Sequence, residues 1–128
     1  MSSAYTPTII TTIDGRQVAS DGPEWRACCE AVRVLGMPEK DRAGWLQRIE
    51  KHRGAGGRKA LEDEMDRVEP AYLLALGTKE ARRAYLEQVA RYRGEPARDW
   101  LQERLIKHWE QQKAAAAASS PADAGKGD

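Results

Sequence analysis

Apolar side chains recur along most of this chain at helical spacing; the exception is the start. Thr8-Ile9-Ile10-Thr11-Thr12-Ile13 and Arg16-Gln17-Val18-Ala19 flank an Asp14-Gly15 pair. β-branched residues suit extended backbone, and Asp-Gly suits a tight turn with positive φ at the glycine. The pattern therefore predicts a short N-terminal β-hairpin. Two strands alone are marginal in water, so the hairpin must lean on another element.

From Pro23 onward the period changes. Asp21-Gly22-Pro23 is a helix start, since proline's missing N–H costs nothing in the first turn. Trp25, Cys28, Cys29, Val32 and Leu35 follow on one stripe, and Gly36 ends it. Pro38 opens a second helix carrying Trp45, Leu46 and Ile49, which stops at Arg53-Gly54. Ala55-Gly56-Gly57 reads as a loop. A third helix carries Leu61, Met65 and Val68 inward, with Glu62, Asp63, Glu64 and Asp66 facing water. Pro70 disfavours α geometry at Glu69 and predicts a kink or break. Tyr72, Leu73, Leu74 and Leu76 form a short helix ending at Gly77. Thr78 caps the next, which carries Tyr85, Leu86, Val89 and Tyr92 and stops at Arg93-Gly94. Pro96 opens a last helix with Trp100, Leu101, Leu105 and Trp109. The expectation is a mainly α chain of five to six helices. Five alanines after Lys113 offer nothing large to pack, and the tail from Ser119 is expected to be disordered.

The helices also repeat. Residues 42–65 align without a gap on 82–105, with six of 24 positions identical: Arg42/Arg82, Leu46/Leu86, Arg53/Arg93, Gly54/Gly94, Arg58/Arg98 and Leu61/Leu101. Chance gives about one or two. Trp45/Tyr85, Ile49/Val89, His52/Tyr92 and Met65/Leu105 are conservative pairs. This divides the chain into a hairpin and lead-in (1–22), a first helical unit (23–69), a second, pseudo-repeated unit (70–113) and an Ala-rich extension with its tail (114–128). Units of this kind bury their apolar faces by stacking.

Composition narrows the function classes. The 128 residues carry 21 Lys+Arg against 20 Asp+Glu, a formal charge of +1, which removes the simplest argument for a nucleic-acid or membrane-surface protein. No apolar run approaches the ~20 residues of a membrane span, and no basic stretch precedes an apolar core at the start, so no membrane partner is expected. Two adjacent cysteines make no disulfide framework and point to a reducing compartment. Cys28 and Cys29 diverge around a helix and have no spaced His or Cys to complete a metal site, so they read as small core residues. His52, aligned with Tyr92, reads as a partly buried packing position, and His108 as a cation near a helix end. Neither has a nucleophile partner in a recognisable motif. The acidic run from Glu62 to Asp66 lacks the glycine and alternating ligands of a calcium loop. No catalytic residue, metal or cofactor is expected.

What remains is charge layout and tryptophan. Residues 40–59 hold seven basic and two acidic side chains, 61–69 one basic and five acidic, and 79–98 six basic and three acidic. The plain reading is self-complementary pairing between units. The sharper one is two basic ridges that meet phosphate, with Arg53, Arg58, Lys59, Arg93 and Arg98 as contacts beside a Gly-rich loop and a helix N-terminus. Trp25, Trp45 and Trp100 lie on core stripes. Trp109, beyond the repeat and near Ile106, is the candidate anchor for a protein partner.

Glu24-Trp25-Arg26, Cys29-Glu30-Ala31, Val34-Leu35 and Pro38, then Trp45-Leu46, Ile49-Glu50, Arg53-Gly54 and Leu61, follow Asp14-Gly15-Arg16. This spaced pattern resembles a family of small helical proteins encoded by tailed phages and prophages of proteobacteria. The resemblance covers residues 9–68, with the second unit as an added copy. It implies a phage or prophage gene and action in the host-cell cytoplasm, and it implies no chemistry. The expected function is a non-catalytic protein-interaction module that binds a host or phage protein as regulator, host-defence inhibitor or assembly factor. The alternatives are a nucleic-acid binder built on the repeated Arg-Gly-loop-helix element and a minor virion structural protein. Self-association is compatible with all three.

Overall fold

The computed structural model describes residues 6–118. The expected hairpin forms, with β1 (Ile9–Thr11) and β2 (Gln17–Ala19) antiparallel in the register Ile9↔Ala19, Ile10↔Val18, Thr11↔Gln17. Gly15 takes φ 94° in the turn, and its N–H donates to the Thr12 carbonyl at 2.9 Å. The hairpin leans on the helices in two ways. Val18 is buried beneath it. Arg16 donates to Asp14 at 2.9 Å and reaches Glu64 on the second helix at 2.6 Å. Burial pushes the Asp14 carboxyl up, but hydrogen bonds from Arg16 and Thr12 outweigh it and hold the group below its ordinary value. Glu64 was expected to face water with its acidic neighbours. It is buried instead, because it is the anchor for Arg16 and for Arg67 at 2.8 Å.

Four helices follow among the described residues, fewer than the five to six expected: α1 (Pro23–Leu35), α2 (Glu39–Ala75), α3 (Lys79–Arg93) and α4 (Glu95–Ala118). The difference lies in α2, two helical arms that meet directly at one non-helical residue, Gly54, at φ 82°, ψ 174°. The stop at Arg53-Gly54 is real, but no loop follows it. Residues 55–57 already belong to the second arm of α2. Gly57 supplies clearance at this corner, since a Cβ there would lie 2.4 Å from the Arg53 Cβ. Pro70 does not break the helix either. Val68, Glu69, Ala71 and Leu73 around it are all buried, and continuing the helix keeps them so. That burial outweighs the ~3 kcal/mol an internal proline costs.

Gly94, aligned with Gly54, has nearly the same backbone, φ 97°, ψ 162°, between α3 and α4. This region is open essentially to glycine alone. A Cβ at Gly54 would touch nothing within 4 Å, so conformation rather than space is the constraint there. Gly54→Ala is expected to destabilise by about 1–3 kcal/mol. Gly44, which is exposed mid-arm and aligned with Ala84, has equally open surroundings. Gly44→Ala is expected to stabilise by about 0.5–1 kcal/mol. Opposite shifts of the urea midpoint would establish both, and equal shifts would contradict the corner geometry.

Two apolar cores share the second arm of α2. The first joins Cys28, Ala31, Val34 and Leu35 of α1 to Leu46, Ile49, Leu61, Met65 and Val68 of α2. The second is formed by Leu73, Val89 and Leu101, with Leu76, Tyr85, Leu86, Ala97 and Leu105 packed against it. The aligned pairs Leu46/Leu86, Ile49/Val89, Leu61/Leu101 and Met65/Leu105 are thus split one to each core. Several stripe assignments change. Cys29 is exposed beside buried Cys28, whose thiol burial pushes up. Trp25 and Trp45 are half-buried. Trp100 and Tyr92 are exposed, at 43% and 50%. Trp100 lies one residue before Leu101 and so about 100° around the helix from the buried line. Its ring instead lies under the Arg104 guanidinium, 4.7 Å away.

Candidate functional site

The five cations expected to meet phosphate all face carboxylates. Arg53 on α2 reaches back to α1 and grips Glu30 with two nitrogens, at 2.9 and 2.6 Å. Arg58 bridges Glu50 and Glu62 at 3.1 and 3.2 Å across the Gly54 corner, and Lys59 holds Asp63 at 3.1 Å. Arg93 meets Glu39 and Glu69 at 2.7 and 2.6 Å. Arg98 sits between Glu95 and Asp99 at 2.5 and 3.3 Å. Arg58, Lys59 and Arg93 do come together. They line one cavity of about 650 Å³ between the arms of α2 and the end of α3, where Lys40 and Arg42 join them. The same cavity is lined by Glu39, Glu62, Asp63, Asp66 and Glu69, so its charge is balanced. Arg53 and Arg98 lie elsewhere.

The Glu30–Arg53 pair has a pH signature. Arg53's hydrogen bonds hold the Glu30 carboxyl below its ordinary 4.5. A carboxylate with a lowered folded pKa adds stability that is complete above the unfolded value and is lost as pH falls through the folded one. Glu30→Gln should therefore lower the urea midpoint at pH 7 and lose that effect below about pH 4. The effect is small because Arg53 is 48% exposed and solvent screens the pair. A midpoint difference that persisted at pH 2.5–3 would show that the effect is packing rather than charge.

The most organised polar cluster went unread in the sequence. Arg42, buried near the start of α2, donates to the Leu35 carbonyl at 2.9 Å and so caps the end of α1. The same nitrogen donates to the Tyr85 hydroxyl at 2.9 Å, and the other terminal nitrogen lies 3.0 Å from Glu39 and 3.8 Å from Glu69. Tyr85 donates in turn to Glu69 in a short hydrogen bond. With Arg93 the cluster holds two arginines, two glutamates and a phenol, and its formal charge is zero. Such balance is what buried charge requires. Burial and the neighbouring Glu69 charge push the Tyr85 phenol well above its ordinary value, so it stays protonated as a donor. Burial lowers the Arg93 guanidinium's affinity for its proton, but its two glutamates more than reverse this. The cluster ties the end of α1, both arms of α2 and the end of α3 together. Its sequence traces were three repeat positions, Arg42 recurring as Arg82, Arg93 matching Arg53 and Tyr85 matching Trp45. Glu39 and Glu69 left no periodic mark.

The histidines and cysteines remain apart. His52 is exposed, not a partly buried packing residue, because the helix face it shares with aligned Tyr92 points outward in both copies. His108 is half-buried on α4, 3.2 Å from Gln112. Among the described residues no three His, Cys, Asp or Glu are grouped to hold a metal ion. No helix there is long and apolar enough to cross a membrane. Ile106 and Trp109 are both exposed on α4, at 50% and 48%, and they line one cavity with Leu74, Leu105 and Arg82.

No curated protein and no solved structure is significantly similar to the chain. Residues 18–71, which run from the second strand of the hairpin through α1 and most of α2, match a family of unknown function (DUF7696).

Proposed function

We propose that this chain is a non-catalytic protein-interaction module, built as two repeated helical units and encoded by a phage or prophage. It acts in the host-cell cytoplasm on a host or phage protein, as a regulator, an inhibitor of a host defence or an assembly factor. The observation that carries this reading is the placement of Ile106 and Trp109. Two large apolar side chains stand about half exposed side by side on α4 and together line one cavity, which the exposed Ile9, Tyr92 and Trp100 do not line. Exposed apolar anchors rimmed by polar residues are what a partner's pocket or helix recognises. The phage setting rests on the spaced Trp-Arg and Arg-Gly pattern.

The nucleic-acid alternative has one observation in its favour. The matched corners at Gly54 and Gly94 each set an arginine, Arg58 and Arg98, four residues on. Against it, each of those arginines has two carboxylates within 3.3 Å, which phosphate would have to displace. The test is affinity capture from bacterial lysate with the full chain, beside Ile106→Ala/Trp109→Ala. Proteins held by the first and lost by the second support the interaction reading. Recovery of nucleic acid, with duplex binding at 50 mM salt that Arg58→Glu/Arg98→Glu abolishes, overturns it.

A further inference from the structure

The cavity beside Ile106 and Trp109 adjoins a second one. The first, about 460 Å³, and the second, about 350 Å³, share Arg82, Leu105 and Ile106. Together they form one groove running between the start of α3 and the middle of α4. Its apolar lining comes from Leu74, Leu86, Leu105, Ile106 and Trp109. Its charged lining is one-sided. Lys79, Arg82, Arg83 and Arg98 stand on it, and Glu87 is its one carboxylate among the described residues. Arg98 is paired, but no ion pair within the described residues engages Lys79, Arg82 or Arg83. In this the groove differs from the balanced cavity at Arg58, Lys59 and Arg93. The N-terminal end of α3, beside Lys79, adds positive potential along the same wall.

We infer that this groove is a docking site for an acidic amphipathic helix of a partner protein. This rests on the interaction reading and adds to it a surface and a partner chemistry. An apolar floor takes side chains at i, i+3, i+4 and i+7 of a helix laid into it. The unpaired Lys79, Arg82 and Arg83 take glutamates or aspartates along that helix's flank, which sets its orientation and speeds encounter. Nucleic acid fits less well. The floor is mainly aliphatic, and one face of Trp109, the ring that would stack a base, is covered by the Lys113 ammonium at 4.1 Å.

The experiment selects random peptides of about 16 residues, roughly 24 Å as a helix, on the immobilised full chain. The proposal expects enriched peptides of net negative charge with apolar residues at helical spacing. The best of them, measured by fluorescence anisotropy, should lose about tenfold or more in affinity with Arg82→Glu/Arg83→Glu, and again with Ile106→Ala. Lys51→Glu/Arg91→Glu makes the same change in net charge away from the groove and should leave affinity within about twofold. Circular dichroism of each variant checks that it is folded. No enrichment, enrichment without acidic bias, or equal loss in the control pair overturns the proposal. So does a single-stranded oligonucleotide that binds and is lost with the groove variants. A lysate protein captured equally by wild type and Arg82→Glu/Arg83→Glu leaves the interaction reading standing and removes this one. Capture of nothing, with no peptide enriched, removes both.

Discussion

Glu69→Ala is expected to cost about 3–5 kcal/mol of folding stability, read as a fall in the urea midpoint at unchanged slope. Glu69 is 1% exposed and accepts from Tyr85 and Arg93, with Arg42 3.8 Å away. Removing it leaves Glu39 alone opposite two guanidinium groups, one of them buried, and strands the Tyr85 hydroxyl. An unpaired buried charge costs far more than the pair was worth, which is why deletion of one partner is so damaging. Arg93→Ala should cost less. Its side chain is 29% exposed, so water already shares the work, and Arg42 still faces both glutamates when it is gone. Asp66 reports on the same change. Burial and the nearby Glu69 charge raise its carboxyl, so in Glu69→Ala its titration should move down toward 3.8. A loss under about 1 kcal/mol in Glu69→Ala would mean that the cluster is solvated and does not hold the helices.

The hairpin, the helical class and the corners at Gly54 and Gly94 were legible because each is written in local chemistry. Asp14-Gly15 needs positive φ, and an Arg-Gly step ends a helical stripe. Two errors in α2 share one cause. The sequence shows glycines at 56 and 57 and a proline at 70, residues whose local preference is to interrupt a helix. It does not show that Arg53 crowds Gly57, or that Val68, Ala71 and Leu73 are all buried. The close approach across the Gly54 corner decides the first and burial the second, and periodicity carries no trace of either. The candidate site was legible in the same partial way. Trp109, with Ile106 near it, stood out because it lies on the last helix beyond the end of the aligned repeat. The basic ridges were visible as charge, but their partners were not. Glu30 lies 23 residues from Arg53, and Glu39 lies 54 from Arg93. A count of charges over a 20-residue window cannot register pairs at that separation. It therefore singled out Arg53 and Arg93, which are neutralised, and did not mark Arg82 and Arg83, which make no ion pair within the described residues.

Leu101→Ala is expected to cost about 2–5 kcal/mol, and the shape of its unfolding curve matters as much as the size of the loss. Leu101 is fully buried in the smaller core, opposite Leu73 and Val89. Its aligned partner Leu61 is 4% exposed in the larger one. If each unit were self-sufficient, Leu101→Ala would melt α3 and α4 first and produce two transitions. The architecture predicts otherwise. The second arm of α2 gives Leu61, Met65 and Val68 to one core and Leu73 to the other. Glu69, between them, is bound to α3 through Tyr85 and Arg93. Loss of the second core therefore exposes one side of the helix on which the first is built. Both Leu61→Ala and Leu101→Ala should then shift one cooperative transition, seen alike by far-ultraviolet circular dichroism and tryptophan fluorescence. In the double variant the losses should add to within about 0.5 kcal/mol, because Leu61 and Leu101 lie in separate cores with no partner in common. Two separated transitions in Leu101→Ala would mean that the units stand independently and that the cluster around Glu69 does not couple them.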